Sequence, residues 1–366
     1  KNIYTSNPPP PPVMAPAAPT PPPLALATNQ SAANSDIGWP LLTQDDIRNS
    51  PSRQKGVSLE RENYERRTYV SFIAEAGQLL GYPQLTLATA TVFCHRFYTR
   101  RSLSEHDRYL VAMTCLFLAG KVEESPKPLR DVLYVCYNVL NKPRAKANAA
   151  DARNNAMMQS QFKEGEYDVW HEKLLQMERV VLDTLAFQFY VDQPYKYMFM
   201  FMRVLGVQNH PEPGVRDKPE MFIHNLKFKQ LAWNFANDSL RTTVSLEYPA
   251  MYIAIAAITF AAKMTKTNID VVEAPGAEPK KWWDVFSAHL EKMPNAPDKS
   301  PIDVRKVEEI EGCLLALYER RNANATKSEP AVKAKREDRD VLPSTSIRAG
   351  GVEDEQPEAK RVKILA

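Results

Sequence analysis

The sequence has few glycines and none of the short motifs that mark common catalytic sites. Only 12 of its 366 residues are glycine, few for a protein that cradles phosphates in glycine-rich loops. It contains no glycine-rich phosphate loop, no H-E-x-x-H pair and no G-x-S-x-G elbow. The four cysteines are scattered without a C-x-x-C pair, so we expect neither a metal site nor disulfides. These absences favour a binding protein without a cofactor over an enzyme.

The sequence also lacks long apolar runs and a large excess of charge of either sign. No apolar stretch approaches the roughly 18–20 residues that a membrane-spanning helix needs, so no membrane partner is expected. Lys and Arg total 47 and Asp and Glu total 44, a formal net charge of +3. This near balance gives no global attraction to nucleic acid or to a membrane surface.

The two ends of the chain have biased compositions. Residues 1–38 contain proline runs at 8–12 and 21–23, which predict a disordered segment with polyproline character. Residues 322–366 mix charges of both signs with few apolar side chains, which predicts a second disordered tail.

Apolar residues recur with helical spacing between the two ends. Tyr69, Phe72, Ile73, Ala76 and Leu80 predict an amphipathic helix that Gly81 ends. Four more helices are expected near 85–100, 107–120, 127–140 and 167–181, with a polar insert at 141–164. A second series follows near 194–205, 219–238, 249–263, 281–291 and 302–320. The third helix of each series is apolar nearly all round, so the repeat predicts an all-α protein of two five-helix bundles.

The segment LFLAGKVEESP (116–126) combines a buried helix with charges at its end. Lys121 and two glutamates follow the apolar run, and Pro126 prevents further helix. Two interpretations are open from these residues alone. The lysine complements the negative end of the helix dipole while the glutamates are solvated, or the charges form a binding site.

Several ordered segments resemble the cyclin family. LFLAGKVEESPKPLRDV (116–132) resembles the central motif of the cyclin box, ATVFCHRFYTRRS (90–102) the second helix of transcriptional cyclins, and MERVVLDTLAFQF (177–189) the fifth helix. WPLLTQDDIRNSPSRQKGV (39–57) and AWNFANDSLRTTVSLEYPAMYIAIAAITFAAK (232–263) resemble parts of the cyclin T and cyclin K branch. The resemblance spans about residues 39–321 and is closest to cyclin T.

The resemblance implies a domain organisation and a role. It implies an extension at 39–63, a first cyclin box at 64–191 and a second at 192–321, between the tails at 1–38 and 322–366. It also implies a non-catalytic subunit that forms a heterodimer with a cyclin-dependent Ser/Thr kinase and activates it. The substrate of such a complex is the C-terminal heptad tail of RNA polymerase II, and its location is the nucleus.

The resemblance further implies which residues bind the kinase. In cyclins, the residues that match Lys121 and Glu178 lie side by side on the face that meets the kinase. There they hold the kinase helix that carries the catalytic glutamate. Phe187 matches a position that adds apolar contact, and Val122 and Glu124 complete the expected set.

A basic cluster near the end of the sequence suggests how the protein reaches the nucleus. Lys360, Arg361 and Lys363 follow a proline in the charged tail and resemble a monopartite nuclear import signal. A plain charged tail is the alternative.

The sequence leaves three alternatives to this function open. The general transcription factor B family grips promoter DNA with paired cyclin-like folds, but it needs an N-terminal zinc ribbon, and no Cys or His precedes Cys94. Direct nucleic-acid binding is therefore not expected. A cell-cycle cyclin carries a hydrophobic docking patch on its first helix, and the equivalent stretch from Arg66 to Val70 lacks that pattern. The third alternative is a helical enzyme whose site is assembled from distant residues.

Overall fold

The computed structural model describes residues 39–141, 162, 165–205, 219–270, 278, 280–292 and 300–326. The regular elements within these ranges are α-helices, which confirms the predicted all-α fold. No helix in the described ranges is both long and apolar enough to cross a membrane. The proline-rich segment 1–38, residues 142–161 and 163–164 of the insert, and residues 327–366 lie outside the described residues.

Within the described ranges, ten long helices match the ten that the apolar periodicity predicts, and three short helices there were not predicted. The short helices have four or five residues, too few to show a helical period. The helices are α1 Gln44–Arg48, α2 Pro51–Gln54, α3 Leu59–Leu79, α4 Gln84–Arg100, α5 Arg108–Val122, α6 Leu129–Asn141, α7 Glu166–Thr184, α8 Pro194–Val204, α9 Pro219–Ser239, α10 Val244–Glu247, α11 Ala250–Thr265, α12 Trp282–Glu291 and α13 Val304–Thr326.

The first hydrophobic core surrounds α5. All of its residues from Val111 to Gly120 are buried, and the helix packs against α3, α4, α6 and α7. Near the end of α5 the packing is so close that a Cβ atom on Gly120 would lie 2.5 Å from the Tyr82 hydroxyl. A side chain at position 120 would therefore require the Tyr82 ring to move away from the end of α5, which carries Lys121.

The second hydrophobic core has the same plan around α11. Every residue from Ala250 to Ala262 is buried, and α11 packs against α8, α9 and α13. An apolar surface of this extent is stable only when other helices cover it on all sides. The boundaries at 64–191 and 192–321 remain predictions, although the buried residues of the first core lie within 64–191 and most of those of the second lie within 192–321.

Helix α4 contacts both cores. Its residues Ala90 and Phe93 belong to the first core, whereas Ala88 and Val92, one turn apart, belong to the second. Ahead of α3, the extension also reaches the second half of the chain, because the Leu42 amide donates a 2.8 Å hydrogen bond to the Leu246 carbonyl. These contacts join the second core to α4 and the extension to α10.

Candidate partner-binding site

Lys121, near the end of α5, forms an ion pair with Glu178 on α7. The Lys121 Nζ atom lies 2.7 Å from Glu178 Oε1, and it also lies 4.0 Å from the centroid of the Phe117 ring. The lysine side chain is 45% exposed and the glutamate side chain 14% exposed. The pair therefore presents a fixed positive charge to solvent above a partly covered carboxylate.

The turn after α5 presents one glutamate outward and holds the other inward. Glu124 is exposed and adopts a left-handed backbone with φ of 51°. The Ser125 amide bonds to the Gly120 carbonyl at 2.9 Å, which closes a Schellman motif. Glu123 instead accepts a 2.7 Å hydrogen bond from the Thr89 hydroxyl on α4. The sequence could not distinguish the two glutamates, because the turn geometry alone separates them.

A second Schellman motif ends α7, and Phe187 supplies one of its two donor amides. The Ala186 amide donates to the Asp183 carbonyl at 2.9 Å, and the Phe187 amide donates to the Leu182 carbonyl at 3.2 Å. Ala186 and Phe187 have φ of 50° and 57°, a conformation that costs a residue with a side chain about 1–2 kcal/mol. The strained turn directs Phe187 outward, so that this phenylalanine is 67% exposed.

Two arginines of α4 hold the segment that carries Phe187. Arg96 donates from one guanidinium nitrogen to the carbonyls of Gln188, at 3.2 Å, and Tyr190, at 2.9 Å. Arg100 donates to the Thr184 carbonyl at 2.9 Å. Burial lowers the pKa of Arg96 to about 10, so the guanidinium remains charged at neutral pH. Neither arginine was singled out by the sequence, because the carbonyls lie more than 80 residues away along the chain.

The structure brings Lys121 and Glu178 together and places the other predicted kinase-binding residues at or just after the ends of α5 and α7. Lys121, Val122 and Glu124 lie at the end of α5 and Glu178 lies on α7 opposite. Phe187 lies just beyond the end of α7, and the helix rises about 9 Å from Glu178 to Thr184. Val122 is half-buried against the first core. Their role in binding a kinase remains a prediction, and Lys360, Arg361 and Lys363 lie outside the described residues.

The other candidate binding sites in the described part of the chain have less support than the one at Lys121 and Glu178. The side chains of Arg66, Thr68, Tyr69 and Val70 are buried, so this stretch of α3 presents no hydrophobic docking patch. A cavity of about 400 Å³ lies between α11, α12 and α13, and the buried Glu311 at its wall is bonded to Thr259 and Lys263. The described residues include no cluster of three or more metal-ligating side chains.

Comparison with known proteins gives matches along most of the described chain. The family "Cyclin, N-terminal domain" matches residues 39–190. Putative cyclin-T1-1 of Arabidopsis thaliana is 37% identical over 237 residues, which is 65% of this chain and 81% of the relative. Cyclin pch1 of Schizosaccharomyces pombe is 33% identical over 229 residues, 63% of this chain and 59% of the relative.

Longer relatives extend beyond the matched region. Cyclin-T1-5 of Arabidopsis thaliana is 36% identical over 280 residues, 76% of this chain but 40% of the relative. The chain spans less than half the length of this relative and of two others. Among solved structures, a chain of the yeast RNA Pol II CTD kinase CTDK-1 complex aligns with 75% of this chain and 83% of its own length. Its identity is 20% and its TM-score 0.47, a similarity too low to support an inference about function.

Proposed function

The chain belongs to the cyclin family, and we propose that it is a transcriptional cyclin: a non-catalytic subunit that binds and activates a cyclin-dependent Ser/Thr kinase. The observation that carries the proposal is the 2.7 Å pair of Lys121 and Glu178, since Glu178 lies on the helix that the exposed Phe187 follows. An exposed aromatic side chain offers a partner an anchor to bury, and a charge pair offers groups for it to bond.

The proposed activation works through the kinase's own ion pair. Kinase activity requires a Lys–Glu pair that forms only when one kinase helix is positioned inward. A partner can favour that state only by as much as it binds the inward state more tightly than the outward one. The face around Lys121 is suited to this because the ion pair and the close packing at Gly120 hold it rigid before binding.

Each site residue has a distinct part in this proposal. An ammonium has three donors and Glu178 takes one, so Lys121 retains donors for carbonyl or carboxylate groups of the kinase helix. Phe187 supplies apolar area that becomes buried in the complex. Glu124 places a carboxylate at the edge of the same face, and half-buried Val122 contributes little contact.

The resemblance to cyclin T supports a finer proposal on the substrate and location. We expect the complex to phosphorylate the heptad tail of RNA polymerase II in the nucleus. The protein itself holds no nucleotide in this proposal, and it needs neither a membrane nor direct nucleic-acid contact.

An activity assay tests the proposal. The purified chain is added to a transcriptional cyclin-dependent kinase, and phosphorylation of a heptad-repeat peptide is measured at saturating ATP. We expect strong stimulation by the chain and no phosphorylation by the chain alone. Promoter DNA binding without kinase binding would instead support the general transcription factor alternative, and phosphate transfer or hydrolysis by the chain alone would support a helical enzyme.

A further inference from the structure

Trp39, at the start of the described chain, lies against two arginines of α4. The Arg100 guanidinium carbon is 4.2 Å from the centroid of the Trp39 ring, and that of Arg96 is 5.2 Å away. Both distances are within the range of a cation–π interaction, and a planar guanidinium also stacks on an indole face. One aromatic side chain therefore contacts both arginines.

The same two arginines hold the segment that presents Phe187. Arg100 bonds to the Thr184 carbonyl, at the last residue of α7. Arg96 bonds to the carbonyls of Gln188 and Tyr190, on the other side of the strained turn. The hydrogen bonds thus secure the turn from both sides, and Phe187 lies between the anchored carbonyls.

The extension that carries Trp39 has its own attachments. The Ser52 hydroxyl accepts a 2.9 Å hydrogen bond from the Leu103 amide, and the Leu42 amide bonds to the Leu246 carbonyl. The Gln44 side chain bonds to Glu247 at 2.9 Å. Because these bonds do not involve Trp39, the extension can stay docked when the indole is removed.

We propose that Trp39 is a positioning residue for the partner-binding site: its indole orients Arg96 and Arg100, which hold the turn at 186–190 in the conformation that exposes Phe187. Without the indole, the two guanidinium groups gain solvent and rotational freedom, and their bonds to the three carbonyls weaken. The strained left-handed turn then relaxes in a fraction of the molecules. This inference rests on the proposed function, because it assigns the extension a role in kinase binding without direct contact with the kinase.

Hydrogen exchange of the full chain, measured without any kinase, tests whether Trp39 holds the turn at 186–190 in place. The amides of Ala186, Phe187 and Gln188 are protected by hydrogen bonds to Asp183, Leu182 and Leu185. We expect Trp39→Ala to speed their exchange roughly tenfold, the size of effect that loss of a partly buried cation–π pair allows. Trp39→Phe, which keeps an aromatic face, should restore most of the protection. Leu41→Ala is the matched control, since Leu41 lies in the same segment and is 50% exposed.

Measurement of kinase affinity tests whether Trp39 supports kinase binding. The affinity of each full-length variant for a cyclin-dependent kinase that the wild-type chain binds is measured by calorimetry. We expect Trp39→Ala to bind roughly tenfold more weakly, Trp39→Phe to bind almost as tightly as wild type, and Leu41→Ala to be unchanged.

Three results would overturn the inference. The first is unchanged exchange at 186–188 in Trp39→Ala. The second is an equal acceleration of the α5 amides, which would mean that the substitution destabilises the whole first core. The third is faster exchange at 186–188 alone with unchanged kinase affinity, which would show that Trp39 positions the turn but has no role in kinase binding. If the wild-type chain binds no cyclin-dependent kinase, the proposed function fails, and the exchange data still decide whether Trp39 positions the turn.

Discussion

The imidazole of His95 links Tyr69 to the carbonyl of Leu240. Its Nε2 atom lies 2.8 Å from the Leu240 oxygen and its Nδ1 atom lies 2.7 Å from the Tyr69 hydroxyl. A carbonyl can only accept, so Nε2 carries the proton and the tyrosine hydroxyl donates to Nδ1. A proton on Nδ1 would leave the Tyr69 hydroxyl proton without this acceptor, so the arrangement favours the neutral ring. The bond to Leu240 joins the first core to the residue after α9.

The first prediction concerns the pH dependence of stability. Burial, assisted by the nearby charge of Arg66, lowers the pKa of His95 to about 3. In the unfolded chain a histidine takes up a proton below about pH 6.5, whereas folded His95 stays neutral to about pH 3. This group therefore costs about 1.4 kcal/mol of unfolding free energy for each pH unit below 6.5. We expect the wild type to lose about 2 kcal/mol more than His95→Gln between pH 7 and pH 5, measured by urea denaturation.

The second prediction separates a kinase contact from a structural ion pair at Lys121. Lys121→Glu places a like charge beside Glu178, and we expect a loss of about 1 kcal/mol of stability and of at least ~2 kcal/mol of kinase binding energy. The double exchange Lys121→Glu with Glu178→Lys restores an ion pair but reverses the pattern of charge. We expect it to recover the thermal stability without recovering kinase affinity. Recovery of both would show that the pair only supports the fold.

The third prediction concerns Phe187. Because the side chain is 67% exposed, Phe187→Ala should change the unfolding free energy by about 0.5 kcal/mol or less. An aromatic side chain buried at the centre of an interface contributes about 2 kcal/mol or more, so kinase affinity should fall roughly 30-fold in calorimetry. Val169→Ala is a control, since Val169 is also exposed on α7 but lies near its other end. Equal affinity of the two variants would exclude Phe187 from the interface.

The fourth prediction concerns nuclear import. Replacing Lys360, Arg361 and Lys363 with alanine should shift a fluorescent fusion towards the cytoplasm, because an import receptor reads clustered positive charge. Since the protein can also enter the nucleus while bound to a kinase, the comparison is made in the Lys121→Glu background. If the fusion with all four substitutions still accumulates fully in the nucleus, these residues are not the import signal.

The sequence predicted the helices well wherever burial follows helical spacing. The apolar pattern covered only the second half of α3: its first position is Tyr69, whereas the helix begins at Leu59. The missed residues are mostly polar, yet Glu62 and Glu65 are buried in hydrogen bonds with Ser50, Arg66, Arg61 and Arg108. The partners Ser50 and Arg108 lie outside α3, so the sequence does not distinguish these buried carboxylates from solvated ones.

The candidate site likewise has residues that the sequence predicted and residues that it did not. Lys121, Glu178 and Phe187 were singled out because motifs resemble a known family, whereas Trp39 was only part of a longer matching stretch. The contact of Trp39 with Arg96 and Arg100 depends on how the extension returns to α4. No local pattern encodes such a contact, since its partners lie roughly 60 residues apart in the chain.

The hydrogen bond from Gln44 to Glu247 constrains the order of events during synthesis, because the two residues are 203 positions apart. Ribosomes add about 5–20 residues per second, so Glu247 is made roughly 10–40 seconds after Gln44. The first core can assemble within that interval, but this bond of the extension cannot form before α10 has emerged. A nascent chain released before Glu247 therefore lacks this attachment of the extension.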